Sequence, residues 1–339
     1  LVPADLSLVE EFARAQVLAH RARLPDWTAF TVLVPHGVAL RPLRARLAQH
    51  AGAALLGPRI LTLSAFASEQ AAADGVLSPL QARLRLAETL QTYLHLFPGQ
   101  DAVSLAAELH ELFSELSLQA PELGQDAARF AQRIERGYGA RHARFTQEAQ
   151  IVHSLWRAWL ADSAGRDPAA AYISGLSAAF AAGAEDSVAL IGFDVFTPAE
   201  LPVIRTALAR GAQLWLHGRD EGRDGTALAA LLAALGVEPE RVNAVMNPRT
   251  QTLQDLFSGA AGLHAIRAAP PLPGLRVQPC TEAEHEARVA ELAIREWLLA
   301  GRRDIAVISN DRRYARRLRA LLERAGVPLN DHAGWALST

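Results

Sequence analysis

Strand–helix alternation occupies both ends of this 339-residue chain, and a long stretch with no strand signal separates them. That order limits the fold more than any single motif. Phe30 to Pro35 is a short apolar run of β-formers and reads as a buried strand. A basic helix is expected from about Val38 to His50, with Leu40, Leu43 and Leu47 at helical spacing, and Arg59 to Leu63 reads as a second strand. Leu8, Phe12, Ala15 and Ala19 mark an opening helix. From Ser78 the pattern is helical only. Ser78-Pro79-Leu80-Gln81 is a capping box with proline at the first helical position. Stripes follow at Leu80, Leu84, Ala87, Leu90 and Leu94, then at Leu105, Leu109, Leu112, Phe113 and Leu116. A third runs through Ile151, Leu155, Trp159 and Leu160. Alternation resumes with a strand over Ser187 to Phe193, a helix opened by the capping box Thr197-Pro198-Ala199-Glu200, and a strand over Gln213 to His217.

Residues 240 to 274 are poorly periodic, end in Ala-Pro-Pro-Leu-Pro-Gly, and read as a linker. A last α/β stretch is expected after it. Its strands are Leu275 to Gln278 and Asp304 to Ser309. Its first helix is capped by Thr281-Glu282-Ala283-Glu284 and carries Val289, Leu292, Ala293 and Trp297. Its second is striped by Tyr314, Leu318, Leu321 and Leu322 and stopped at Gly326-Val327-Pro328. The expected architecture is α/β. Residues 1–77 and 185–239 form one parallel-sheet domain, 78–184 a helical insertion, and 275–339 part of a second α/β domain.

Composition removes several chemistries. All 34 basic side chains are arginine, so a phosphate loop with its lysine and a Schiff-base amine are both excluded. One cysteine, Cys280, permits no intrachain disulfide and no cysteine-held zinc or iron–sulfur cluster. A reducing, cytoplasmic setting is expected. The net charge of −2 gives no global nucleic-acid signal. Apolar runs are short and interrupted, so no membrane span and no signal peptide are expected.

Three places resemble the superfamily I DNA helicases with their catalytic chemistry removed. In Leu190-Ile191-Gly192-Phe193-Asp194-Val195-Phe196-Thr197-Pro198-Ala199-Glu200, an apolar strand runs through a threonine-containing turn into a helix. Helicases end that strand in Asp-Glu, for Mg²⁺ and for activating water. Gly192-Phe193 stands there, with Asp194 as the alternative match for the aspartate. Asp304 to Asp311 and Leu321 to Pro328, preceded by a helix with Glu282, Glu284 and Glu286, resemble the start of the second motor domain. The order of parts matches as well. Together they resemble the AddB-like (RecB/RecC-like) subunits of bacterial helicase–nuclease complexes, whose front half is an inactivated helicase. The resemblance implies RecA-like domains and no ATPase. It implies a scaffold role in double-strand-break repair, with DNA and a motor subunit as partners. It also implies a longer protein, because family members continue into a nuclease domain that some hold with an iron–sulfur cluster. No cofactor is expected for this stretch.

Other residues carry chemistry of their own. From Gly301 to Arg324 there are eight arginines against Asp304, Asp311 and Glu323, a local charge of +5. Arg312, Arg313, Arg316, Arg317 and Arg319 are the candidate phosphate contacts, since a guanidinium grips phosphate with two N–H groups. The competing reading, a solvated helix face or a contact with further C-terminal parts, is favoured over it, and a solvated face is favoured more strongly for Arg41, Arg44 and Arg46. Asp194 and His217 both fall near C-terminal ends of expected parallel strands, where open α/β sheets bind ligands. They define the alternative function, a small-molecule α/β enzyme using them as acid and base. No nucleophile motif accompanies them, and Gly175-Leu176-Ser177-Ala178-Ala179 misses the Gly-x-Ser-x-Gly elbow at its last residue. The six tryptophans sit mostly in apolar runs and read as core.

Overall fold

The structure is a computed structural model. It describes residues 1–3, 6–70, 75–97, 99–138, 143–163, 165–182, 188–218, 226–242, 276–303 and 305–330. Two compact units divide the chain, Leu1–Gly262 and Leu263–Thr339.

The first unit is built on four parallel strands: β1 (Thr31–Val34), β2 (Arg59–Thr62), β3 (Val188–Ile191) and β4 (Gln213–Trp215), in the order β2-β1-β3-β4. Thr31 lies opposite both Arg59 and Val188, and Ala189 opposite Gln213. A segment from each side of the strand-free stretch thus meets at the β1–β3 pair. The central strands β1 and β3 are buried at every position and almost wholly apolar, because both faces of the sheet are covered there. Side chains alternate between two cores. Val32, Val34, Ile60, Ala189 and Ile191 face Phe12 of α1 (Leu8–Ala19) and Leu43 and Leu47 of α2 (Leu40–Ala51). Leu33, Val188 and Leu190 belong to the opposite core. It contains Phe66 of α3 (Leu63–Gln70), Leu176 and Phe180 of α8 (Pro168–Ala182), Ile204 of α9 (Glu200–Ala209), and Leu231 of α10 (Ala227–Leu235). Val2 extends the outer edge in a parallel bridge with His217, its N–H reaching the Leu216 carbonyl at 2.9 Å.

Helices α4 (Pro79–Tyr93), α5 (Ala102–Gln119), α6 (Ala127–Tyr138) and α7 (Ala143–Ser163) follow β2 in the chain. They share a separate core of Leu86, Leu90, Leu105, Leu109, Phe113, Trp156 and Trp159. The expected capping box is present: the Gln81 N–H donates to Ser78 Oγ at 3.2 Å, and the Ser78 N–H to Gln81 Oε1 at 2.8 Å. Asp101 caps α5 with its side chain, accepting from the Val103 and Ser104 N–H groups.

The block expected over 78–184 therefore does not form one body. Helix α8 lies in the sheet's core, with Phe180 edge-on to Phe66 at 5.2 Å. The expected stripes were also partly misplaced. Leu80 and Leu84 are mostly exposed, and α4 buries Ala82, Leu86, Ala87 and Leu90 instead. Both sets have helical spacing. The buried one includes Ala82, a small residue at a face that packs on α5. In the second stripe Leu112 is partly exposed and His110 is buried. In the third Trp156 and His153 are buried on α7, while Ile151 and Leu155 are only partly covered.

The second unit differs more from expectation. Its described residues form two helices, α11 (Ala283–Leu299) and α12 (Arg312–Arg324), and no strand. Residues 276–278 and 305–309 form no strand with any of the described residues, and Ile308 is almost fully exposed. A strand exists only when another pairs with it, and apolar alternation alone does not supply the partner. Ile294, Leu318 and Leu322 form a small core, with Ala290, Ile305, Tyr314 and Val327 packed against it. Leu292 and Trp297, expected inward, are substantially exposed, because Ala287 and Ile294 take the buried face of α11. Thr281 does not cap that helix. Its N–H and hydroxyl meet His285 Nδ1 at 3.4 Å, and Glu282 holds the capping position with no side-chain bond. The stop after α12 is as read. Gly326 adopts a left-handed conformation (φ 71°), and the Val327 N–H reaches the Leu322 carbonyl at 2.9 Å. Val327 then packs on the core that holds Leu322. The expected linker falls almost wholly on residues 243–275, outside the described residues.

Candidate functional site

Strand order reverses direction between β1 and β3, since the chain moves outward to β2 and returns past β1 to β3. In open parallel sheets the crevice at such a reversal, beyond the C-terminal strand ends, is the usual ligand position. The loop leaving β3 there is residues 192–199, where the helicase-like motif falls. Gly192 turns the chain at φ 79°, and its N–H donates to the Trp215 carbonyl at 3.0 Å. An added Cβ would touch only Leu8 Cδ2 at 3.9 Å, so backbone conformation rather than space calls for glycine. Phe193 is buried in the sheet's core and stacks on Phe196, with centroids 5.1 Å apart at 22°. Asp194 and Val195 form the exposed tip.

The loop's far end is fastened from three sides. The Thr197 N–H donates to Glu200 Oε2 at 2.7 Å, and the Glu200 N–H to Thr197 Oγ1 at 3.3 Å, completing the expected capping box. Tyr172 on α8 donates its hydroxyl to Glu200 Oε1 at 2.5 Å. Burial, reinforced by that carboxylate, pushes the Tyr172 phenol well above its usual range. The Ala199 N–H donates to the Leu118 carbonyl on α5 at 3.0 Å, tying the loop to the helical core. Tyr172 and Leu118 were not anticipated. A phenol within the apolar helix Pro168–Ala182 was the one available signal for the first.

Strand-end residues of β1, β3 and β4 share one edge because the strands are parallel. Asp194 stands at the exposed tip of the β3–α9 loop. His217 is instead engaged through its backbone beside Val2. A half-open cleft of about 630 Å³ lies along β4, lined by Leu208, Leu214, Leu216, Leu232 and Val237, and neither Asp194 nor His217 borders it. Among the described residues no cluster of His, Cys, Asp or Glu could hold a metal ion.

Of the five arginines singled out on α12, Arg317 and Arg319 hold carboxylates. Arg317 forks onto Glu284 of α11, with Nε and a terminal nitrogen each 2.6 Å from a carboxylate oxygen. Glu284 also receives Arg288 at 2.9 Å. The Arg317 bond above all, then Arg288, pulls its carboxyl down to about 2. Arg319 donates to Glu323 at 2.6 Å. Arg313 and Arg316 are exposed and make no ion pair among the described residues, as is also true of Arg324. Arg312 is exposed at the helix start. Asp311 caps α12, accepting from the Arg313 and Tyr314 N–H groups at 2.8 and 3.3 Å. On α2, Arg46 lies 3.4 Å from Glu10, whereas Arg41 and Arg44 are exposed.

Fold and site together define an α/β protein with an all-parallel four-stranded sheet covered on both faces and a separate helical core. A comparison with protein-family models and a search of the curated proteins both find no match to the chain. Among the described residues no helix is long and apolar enough to cross a membrane.

Proposed function

We propose that this chain is a catalytically inactive, helicase-like scaffold that binds DNA and a motor partner in a double-strand-break repair complex. In this reading the sheet unit is a RecA-like domain that carries α4–α7 as an insertion, and the second unit is part of another RecA-like domain. The observation that carries it is the β3–α9 loop. It leaves a parallel sheet at the topological reversal, yet Gly192 and Phe193 there serve a turn and the core. A motor needs a metal-binding carboxylate and a water-activating one at this place, and a lysine on the phosphates. Gly192 and Phe193 offer neither carboxylate, Asp194 beside them is left at the exposed tip, and the chain has no lysine. DNA contact through the α12 arginines would be directed at phosphates and would not read bases.

The test is a pair of measurements on the whole chain. ATP turnover with Mg²⁺ should stay at background. Fluorescence anisotropy with labelled oligonucleotides should show salt-sensitive binding. Mg²⁺-dependent hydrolysis abolished by Asp194→Ala would overturn the inactive assignment, and absence of binding at low salt would overturn the DNA-binding one.

A further inference from the structure

The outer edge of the sheet is only partly covered. In a parallel ladder the N–H and C=O of one residue point to the same side, and those of the next residue to the other. The Gly192 N–H reaches the Trp215 carbonyl, so Gln213 and Trp215 face β3. Leu214 and Leu216 therefore face outward. Leu216 offers its carbonyl to the Val2 N–H at 2.9 Å, and the Gly218 N–H reaches the Val2 carbonyl at 2.7 Å. The Leu216 N–H and both backbone groups of Leu214 meet no partner among the described residues.

These groups open onto the cleft along β4, whose far wall is residues 238–242. Leu1 bridges to that wall, donating from its terminal nitrogen to the Glu240 carbonyl and accepting from the Val242 N–H at 2.9 Å. Leu1 and Val2 are thus the end of a strand held between β4 and residues 240–242, and the cleft continues their line backward. Its floor is apolar, with Leu208, Leu214, Leu232 and Val237, and Leu1 packs against the same core. Open backbone groups above an apolar floor select an extended strand over a compact ligand.

We infer that the cleft holds a fifth parallel strand, formed by the stretch of polypeptide that leads into Leu1. The contacts of Leu1 and Val2 fix its register. The residue immediately before Leu1 lies opposite Trp215, donating to the Leu214 carbonyl and accepting from the Leu216 N–H. The residue before that lies opposite Pro239, between the Glu238 carbonyl and the Glu240 N–H, so Pro239 need not donate. Its side chain shares the face of Leu1 and covers the apolar floor. The third residue accepts from the Leu214 N–H. Three residues, about 10 Å of extended chain, satisfy every open group of the edge. This pairing is independent of whether the chain binds DNA.

The experiment compares the 339-residue chain with two chains extended before Leu1, one by Ser-Thr-Leu-Val and one by Ser-Asp-Asp-Asp. Neither extension alters a residue of the folded chain, so each variant keeps its core. Amide hydrogen exchange followed by NMR reads the Leu214 and Leu216 N–H groups. The Ser-Thr-Leu-Val extension should slow both by about fivefold or more, as a newly formed hydrogen bond does. The acidic extension sets carboxylates beside the exposed Glu238 and Glu240 and above an apolar floor, and should leave both rates as in the unextended chain. Equal rates in all three chains would overturn the inference. Slowing by both extensions alike would overturn it too, since a paired strand with an inward apolar residue would not be its cause. A dimer of the Ser-Thr-Leu-Val chain in sedimentation would assign the edge to a second copy and overturn the intrachain strand.

Discussion

Phe193 and Asp194 are neighbours in sequence with opposite expected consequences, and the contrast tests the reading of the β3–α9 loop. Phe193 is 4% exposed and stacked on Phe196 within the core that holds Leu190 and Ile204. Truncating a buried Phe to Ala costs about 3–5 kcal/mol through lost transfer energy and the cavity left behind. The lost ring contact is about 0.5–1.5 kcal/mol of that. Asp194 is exposed and makes no hydrogen bond or ion pair among the described residues, so Asp194→Ala should stay within about 0.5 kcal/mol of wild type. Domains have only about 5–15 kcal/mol in total, so Phe193→Ala removes a large fraction. Urea unfolding followed by tryptophan fluorescence should show it, since Trp27 and Trp215 lie in or against the neighbouring core. With m of about 2–3 kcal/mol/M the midpoint should fall by roughly 1–2 M for Phe193→Ala, and hardly at all for Asp194→Ala. Phe193→Leu should recover most of the loss. Equal midpoints for Phe193→Ala and wild type would refute the assignment of this position to the core. A costly Asp194→Ala would show that the tip carries a structural load not seen here.

Tyr172→Phe leaves the buried Glu200 carboxylate with one fewer donor and should cost about 1.5–3 kcal/mol in urea unfolding; a neutral result would mean that the Thr197 contacts alone satisfy the carboxylate. His110 is buried against Trp159, and burial above all holds its pKa below 6.5. The unfolded chain therefore binds the proton first, so the stability this group contributes is full above about 6.5 and is lost as pH falls through its folded value. His110→Phe should flatten the dependence of the unfolding midpoint between pH 7 and 5, and an unchanged dependence would assign it to other groups. Glu284 runs the same way at lower pH. Its depressed pKa gives stability that is full above the ordinary glutamate value of 4.5 and is lost as pH falls toward about 2. The Glu284 carboxyl, followed by NMR, should titrate near 2 in the wild type and closer to 4.5 in Arg317→Ala, and coincident curves would remove the Arg317 fork as the cause.

Local rules made much of this protein legible in its sequence. Capping chemistry is satisfied within a few residues, so Ser78-Gln81 and Thr197-Glu200 were readable and occur with both of their reciprocal bonds. The stop at Gly326 follows from the left-handed conformation that a short-range Schellman closure needs. The central strands β1 and β3 were readable because a sheet buried on both faces demands apolar residues at nearly every position.

Partners distant in sequence decided the rest. Leu80 and Leu84 share a face as well as Leu86 and Leu90 do, and only the position of α5 selects which pair is buried. Residues 305–309 have the composition of a strand, but a strand is a relation between two segments, and among the described residues no second segment pairs with them. The local charge of +5 held no information about which arginines face a carboxylate. Glu284, 33 residues before Arg317, holds that guanidinium, while Arg316 beside it makes no ion pair among the described residues. Periodicity fixes which residues share a face of an element, and tertiary packing fixes what that face meets.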